Sequence, residues 1–177
     1  MKPKQSRGIK GLPHHHNVVV GLLRRAFGPP RNDERRSLGF PIDVACAVIR
    51  REGKILIARR RAKDHLGGLW EFPGGKRLGA ESLSDCLKRE IWEELRIRIQ
   101  PRRFLKRIDY IYLTGTSPSR DLSLLSVSLY FYDCELLEGI PWPHGCDEIR
   151  WIRPFELTRY AFPPADEAIL KQLRFRP

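Results

Sequence analysis

The chain has 177 residues, 41% of them hydrophobic and 31% charged, with 33 Lys or Arg against 21 Asp or Glu and a formal net charge of +12. That length suits one domain with a real core and leaves two full domains crowded; the composition is that of a globular protein. No apolar run approaches the length of a bilayer span, and the positive excess suits a polyanionic partner (nucleotide, nucleic acid or anionic membrane) or simply a basic, soluble surface.

Residues 1–40 carry nine Lys or Arg against Asp33 and Glu34, a net of +7, which leaves only +5 of the +12 for the remaining 137 residues. Pro, Gly and the triplet His14, His15 and His16 punctuate this leader. It fits a loosely packed tail, an arm for nucleic-acid backbone, an organelle-directing segment, an upstream start or an accessory strand. The His triplet has no clustered acid or cysteine beside it, so a metal site there is not expected.

The texture changes at Pro41, and residues 41–177 read as one domain. Ile42 to Ile49 is an apolar strand, Arg51 to Lys54 a tight polar turn, and Ile55 to Ala58 a returning strand, together a hairpin. A loop with Gly67 and Gly68 leads through Trp70 and Phe72 to Pro73, Gly74 and Gly75, and a helix runs from about Glu81 to Leu95, with Pro101 as a stop a little further on. Ile108 to Leu113 and Leu124 to Tyr132 read as strands around the polar loop Thr114 to Arg120. Glu148 to Ile152 is a short strand and Ala165 to Leu173 a closing helix, so the expected fold class is α/β, a mixed sheet with two helices. Cys46, Cys86, Cys134 and Cys146 have no paired short spacing and lie in or beside apolar sequence, as reduced cysteines of a cytoplasmic protein do.

The helix carries the chemistry. At about 100° per residue, Leu83, Leu87, Ile91 and Leu95 form its buried stripe, and Glu90 and Glu94 fall about 20° to either side of Leu83, with Glu93 about 80° away beside Glu90. Like charges at i, i+4 repel, and acids near the helix C-terminus oppose its dipole. A hard cation such as Mg²⁺ or Mn²⁺ offsets both costs, whereas Lys88, Arg89 and Arg96 would relieve a merely solvated acidic face. Pro73-Gly74-Gly75 permits a close backbone approach or is simply a strand-to-helix turn. Glu81 and Arg89 sit eight residues apart, so the loop must fold Glu81 back or both must brace the glutamates.

Gly75, then Glu81, then Arg89-Glu90-Ile91, Glu93-Glu94 and Arg96-Ile97 at fixed spacing resembles the signature of the Nudix hydrolase family, with Arg96 in place of that family's penultimate glycine. The resemblance implies a loop-helix-loop that binds Mg²⁺ and cleaves a nucleoside diphosphate linked to another group. It implies Glu90 and Glu94 as metal ligands with the Gly74 carbonyl, Glu93 as a further ligand or as base through water, and Arg89 and Glu81 as the groups that orient them. The chemistry fits charge neutralisation on phosphate and activation of water.

Over residues 42–173 the likeness is to MutT-type 8-oxo-dGTP diphosphatases, which implies Arg60, Phe72 and Lys76 near the substrate and Asp166 where the bacterial enzyme has an Asn. Ionised Asp only accepts hydrogen bonds, so Asp166 meets guanine O6 unfavourably unless protonated and suits a cytosine amino group; it also suits a helix N-terminus. Relatives place another Glu at the position of Gly145, where Asp147 and Glu148 offer substitutes and His144 a different base. The expectation is a monomeric nucleoside triphosphate pyrophosphohydrolase acting on 8-oxo-dGTP or another modified nucleotide. The alternatives are a pyrimidine triphosphatase, an RNA 5′-pyrophosphohydrolase using the leader, or a non-catalytic lesion-binding module.

Overall fold

An apolar run buried on both faces belongs at the centre of a sheet. Ile42–Arg51 (β1) takes that place in the computed structural model, which describes residues 41–64, 66–114 and 123–174. The expectations for the 1–40 leader and for residues 115–120 of the polar loop lie outside the described residues. Along one side β1 runs parallel to Ser123–Glu138 (β6), from Ile42 opposite Val127 to Arg50 opposite Glu135. Its other side is shared. Arg50 and Arg51 pair with Lys54–Arg59 (β2) across a two-residue turn in which Glu52 and Gly53 both have positive φ, the geometry that matches the twist of a hairpin. Val44, Ala45 and Cys46 pair instead with Gly74–Lys76, a short β4 that the sequence pattern does not reveal. β2 also pairs with Trp70–Glu71 (β3) and with Glu148–Ile152 (β7).

Successive β1 side chains feed two cores. Val44, Cys46 and Val48 pack with Phe72, Phe131, Ile169 and Leu173 on one face, and Ala45, Ala47 and Ile49 with Leu87, Ile91 and Leu95 on the other. Leu87, Ile91 and Leu95 belong to the helix Leu83–Leu95 (α1), and Ile169 and Leu173 to the closing helix Glu167–Arg174 (α2), which follows a 3-10 turn at Pro164–Asp166. The sheet is therefore the middle of three layers, as the α/β expectation requires. No helix among the described residues is long and apolar enough to cross a membrane.

Several boundaries move. α1 starts after Glu81, because the Ser82 hydroxyl caps it by accepting from the Asp85 N–H at 3.1 Å. Pro101 stops no helix: it lies within a strand, Arg98–Thr114 (β5), at a shift in register. β5 is the edge of the sheet, where the missing N–H of proline is tolerated. β5 and β6 are each longer than periodicity suggests, since much of their length is partly exposed and mixed in character.

α1 ends without the expected glycine. Arg96 adopts the left-handed conformation itself (φ 56°, ψ 35°), its N–H donates to the Trp92 carbonyl, and its guanidinium lies 5.8 Å from the Trp92 ring centroid. A strap after β6 meets the other orphan carbonyls: the Trp142 N–H donates to Leu95, and the His144 and Gly145 N–H groups both donate to Glu94. The left-handed backbone costs a side-chain-bearing residue about 1–2 kcal/mol and an exposed cation–ring contact returns about 0.5–1 kcal/mol. Arg96→Gly is therefore expected to raise stability by up to about 1 kcal/mol in urea denaturation; a loss would show that the stacked arginine holds the cap.

Candidate active site

Two glycines let β4 lie between β1 and α1. Gly74 has φ 152°, and a Cβ built on it would stand 2.1 Å from the Ala45 carbonyl oxygen; one on Gly75 would stand 2.2 Å from the Glu90 carboxyl carbon. Any side chain at Gly75 would fill the space the Glu90 carboxylate now occupies, so the bare backbone is what admits it. The Gly74 N–H points to Glu94 Oε2 at 3.4 Å, and the Pro73 carbonyl accepts from the Ala47 N–H at 2.8 Å, which anchors the loop to β1.

Arg89 gathers the acids. Its Nη2 and Nε donate to the two oxygens of Glu81 at 2.7 and 3.1 Å, its Nη1 donates to Glu90 Oε1 at 2.7 Å, and the same Nη1 lies 3.5 Å from Glu93 Oε2. Nη2 also donates to the Lys76 carbonyl at 3.1 Å, tying the helix to the glycine loop. Glu81 does fold back: its Oε1 accepts from the Leu78 N–H at 2.7 Å, outside the helix. The Arg89 hydrogen bonds hold the Glu81 carboxyl below its ordinary range, and the two carboxylates push the guanidinium further up. Burial pushes Glu90 up, with Arg89 opposing and Glu93 reinforcing the rise. Cys86, between Glu90 and the Gly75 carbonyl, is pushed up to about 12 by burial and then by Glu90, so it is a packed thiol rather than a nucleophile.

These positions suit a hard cation in chemistry: Glu90, Glu93, Glu94 and the Gly74 carbonyl are all oxygen donors. Among the described residues no three acids, histidines or cysteines are gathered closely enough to hold an ion as they stand, for Arg89 draws Glu90 and Glu93 to itself. The Glu90 side chain is 17% exposed and that of Glu93 is 56% exposed, so Glu93 is the acid with freedom to reach solvent.

Of the residues expected on the substrate side, Arg60 and Asp166 lie in reach of each other and of Glu71. Arg60 is 1% exposed, and its Nη1 donates to Glu71 Oε2 at 2.6 Å. Asp166 is buried in reach of both charges; burial and then Glu71 raise its carboxyl to about 8, with Arg60 opposing. Phe72 stacks on Phe162 (centroids 5.4 Å apart, 30° between planes) and meets Phe131 edge-on at 5.8 Å. Lys76 lies in β4, where its carbonyl is committed to Arg89. Asp166 is not an exposed helix cap: it ends the 3-10 turn ahead of α2 with its side chain inward.

The acids near Gly145 are engaged elsewhere. An Asp147 oxygen accepts from the Ala62 N–H at 2.9 Å, and Glu148 pairs with Arg59 at 3.0 Å and with Arg150. The Gly145 N–H is bound to the Glu94 carbonyl, and the His144 carbonyl accepts from Arg61 at 2.7 Å. Sequence reasoning gave Glu71 no role of its own. Its signal was Arg60, which needs an acid once buried, but burial of an arginine inside the run Arg59 to Arg61 is not visible in composition.

A family model described as NUDIX domain matches residues 44–172. A CTP pyrophosphohydrolase of Escherichia coli (strain K12) is 33% identical over 130 residues, covering 73% of this chain and 89% of that protein. An 8-oxo-dGTP diphosphatase of the same organism is 31% identical over 134 residues, covering 75% of this chain and 96% of that one. Among solved structures, the MutT protein of Methanosarcina mazei Go1 superposes with a TM-score of 0.61 at 24% identity over 75% of this chain and 93% of its own, a likeness of fold.

The buried Asp166 also bears on stability. Its carboxyl titrates near 8 in the folded protein and near 4 in an unfolded chain, so the folded state holds a proton that the unfolded state releases. That contribution is complete below about pH 4 and is lost as pH rises through about 8. Asp166→Asn is expected to flatten the decline in melting temperature between about pH 5 and 8.5; an unchanged slope would show that Asp166 is already ionised in the folded protein.

Proposed function

The chain belongs to the NUDIX domain family and is a nucleotide pyrophosphohydrolase, and we propose that it converts an oxidised guanine nucleoside triphosphate of the 8-oxo-dGTP type to the monophosphate and pyrophosphate. The observation that makes a guanine base compatible with this site is the buried Asp166, whose carboxyl is raised to about 8. A carboxyl that keeps its proton at neutral pH donates from one oxygen and accepts at the other. It therefore faces a guanine O6 and an adjacent ring N–H without repulsion. Phe162, partly exposed and stacked on the buried Phe72, offers aromatic surface for the ring, and the Arg60–Glu71 pair fixes the charge beside it.

Glu90, Glu94 and the Gly74 carbonyl are the groups that would hold Mg²⁺ or Mn²⁺, with Glu93 at the margin. The bound ion supplies neutralisation of phosphate charge and makes the attacking water more acidic. The chain supplies the rest. Arg89 and Glu81 fix the height of Glu90 against the glycine loop. Glu93, the most exposed of the acids, accepts the proton of the attacking water at its carboxylate. Water then adds to phosphorus as the bond to the departing pyrophosphate breaks, and Lys76 and the basic rim draw the triphosphate in. The engagement of Asp147 and Glu148 elsewhere leaves this glutamate set without a fourth acid from the Gly145 loop.

A second reading, cytidine triphosphates, draws on the CTP pyrophosphohydrolase relative. A neutral carboxyl can also donate to cytosine N3 while accepting from its amino group. Pyrophosphate release from normal, oxidised and methylated nucleoside triphosphates with Mg²⁺ separates the two: selectivity for 8-oxo-dGTP is expected, and a preference for CTP or dCTP would reassign Asp166. Glu94→Gln removes a charge from the proposed metal site and should cut turnover at least about 100-fold with an unchanged melting temperature. An active Glu94→Gln enzyme would sink the metal role.

A further inference from the structure

On α1 the glutamates all lie within about 80° of Leu83, whereas Lys88 and Trp92 lie about 140–180° from it, with Arg89 between the two sets. That outer flank forms a pocket of about 530 Å³ with the start of β5 and the end of β6. Lys88, Trp92, Arg98, Gln100 and Leu137 line it together with Arg89. The volume falls within the roughly 300–1,000 Å³ of small-molecule sites.

The wall chemistry is specific. Trp92 is 47% exposed and Leu137 56% exposed, so large apolar surface is left open beside cations. Among the described residues neither Lys88 nor Arg96 forms an ion pair, and Arg98 meets Glu138 only at 3.5 Å with both side chains 71% exposed. A pair that exposed neutralises little. Exposed Trp92 beside the unpaired Lys88 and the loosely paired Arg98 is a combination that suits a nucleobase carrying a phosphate.

Further along β5 the picture changes. Arg102 pairs with Glu135, Arg103 with Asp133 and Arg107 with Asp109. The arginines of β5 beyond the pocket are thus paired and form no row of free guanidinium groups along which a strand of nucleic acid could continue. We propose that this pocket is a second nucleotide site, separate from the catalytic cleft, in which a base stacks on Trp92 and its phosphate lies between Lys88 and Arg98. The site stands on its own geometry and does not depend on which triphosphate the enzyme cleaves.

The test is calorimetric titration of the full chain with CMP and GMP in the presence of EDTA, which removes metal-dependent binding at the glutamates. One nucleotide is expected to bind with an affinity that falls about tenfold or more in Trp92→Ala, the loss of one base–aromatic stack. Trp92→Phe should stay within about threefold of the parent, Lys88→Glu should weaken binding, and Glu94→Gln should leave it unchanged. Trp92 and Lys88 are exposed, so circular dichroism is expected to be the same for all variants. Binding that ignores Trp92→Ala, inorganic phosphate that binds as tightly as CMP, or no binding at millimolar nucleotide would each overturn the proposal.

Discussion

The bidentate grip of Arg89 on Glu81 is the constraint on which the rest of the catalytic side depends. Four carboxylates within a few turns of chain would repel one another, and each would find its own route to solvent. One guanidinium, held at five points, prevents that. It fixes Glu81 from the loop before the helix, Glu90 from the helix itself and the Lys76 carbonyl from β4, and it reaches Glu93 more loosely. A lysine in its place could satisfy one of these partners well but not all of them, because it lacks the planar fork. The glycine loop is the other half of the same device. With no Cβ on Gly74 or Gly75, the backbone closes on β1 and on the Glu90 carboxylate at distances that any other residue would forbid.

The base side follows a different physical rule. Here burial comes first and charge is adjusted to it. Arg60 enters the core with Glu71 as its partner, and the next acid in reach, Asp166, is left with little solvation and a like charge beside it, so it keeps its proton. The substitution of Asp for Asn thereby changes less than the formal chemistry suggests. A neutral carboxyl and an amide both offer one donor and one acceptor. The short stretch of β3, Phe72, Pro73 and β4 joins the Arg60–Glu71–Asp166 group to the acids.

Much of this was legible in the chain. The spacing from Gly75 to Glu94 located the helix, its buried stripe and the acids that border it, and the apolar run Ile42 to Ile49 located the central strand. Arg60, Phe72 and Asp166, drawn from family likeness, are all buried in the fold, with Arg60 and Asp166 in reach of each other and of Glu71. What escaped was set by long-range contact. Pro101 reads locally as a stop, and only the edge position of β5 makes it acceptable in a strand. The lost glycine at Arg96 reads as a weak cap, and only the strap from Trp142 to Gly145 shows how the helix end is satisfied. The upward push on the Asp166 carboxyl comes from its burial and then from Glu71, ninety-five positions away in sequence.

The most direct test of the central claim is a double-mutant cycle on Arg89→Lys and Glu81→Gln, reading kcat/KM for nucleoside triphosphate hydrolysis together with the melting temperature. If one fork holds the acids as a unit, either change already releases them, and the double variant should be within about threefold of the worse single variant. Losses that multiply, with each substitution costing its full factor in the presence of the other, would show that Arg89 and Glu81 act separately and that the clamp is not what positions the glutamates.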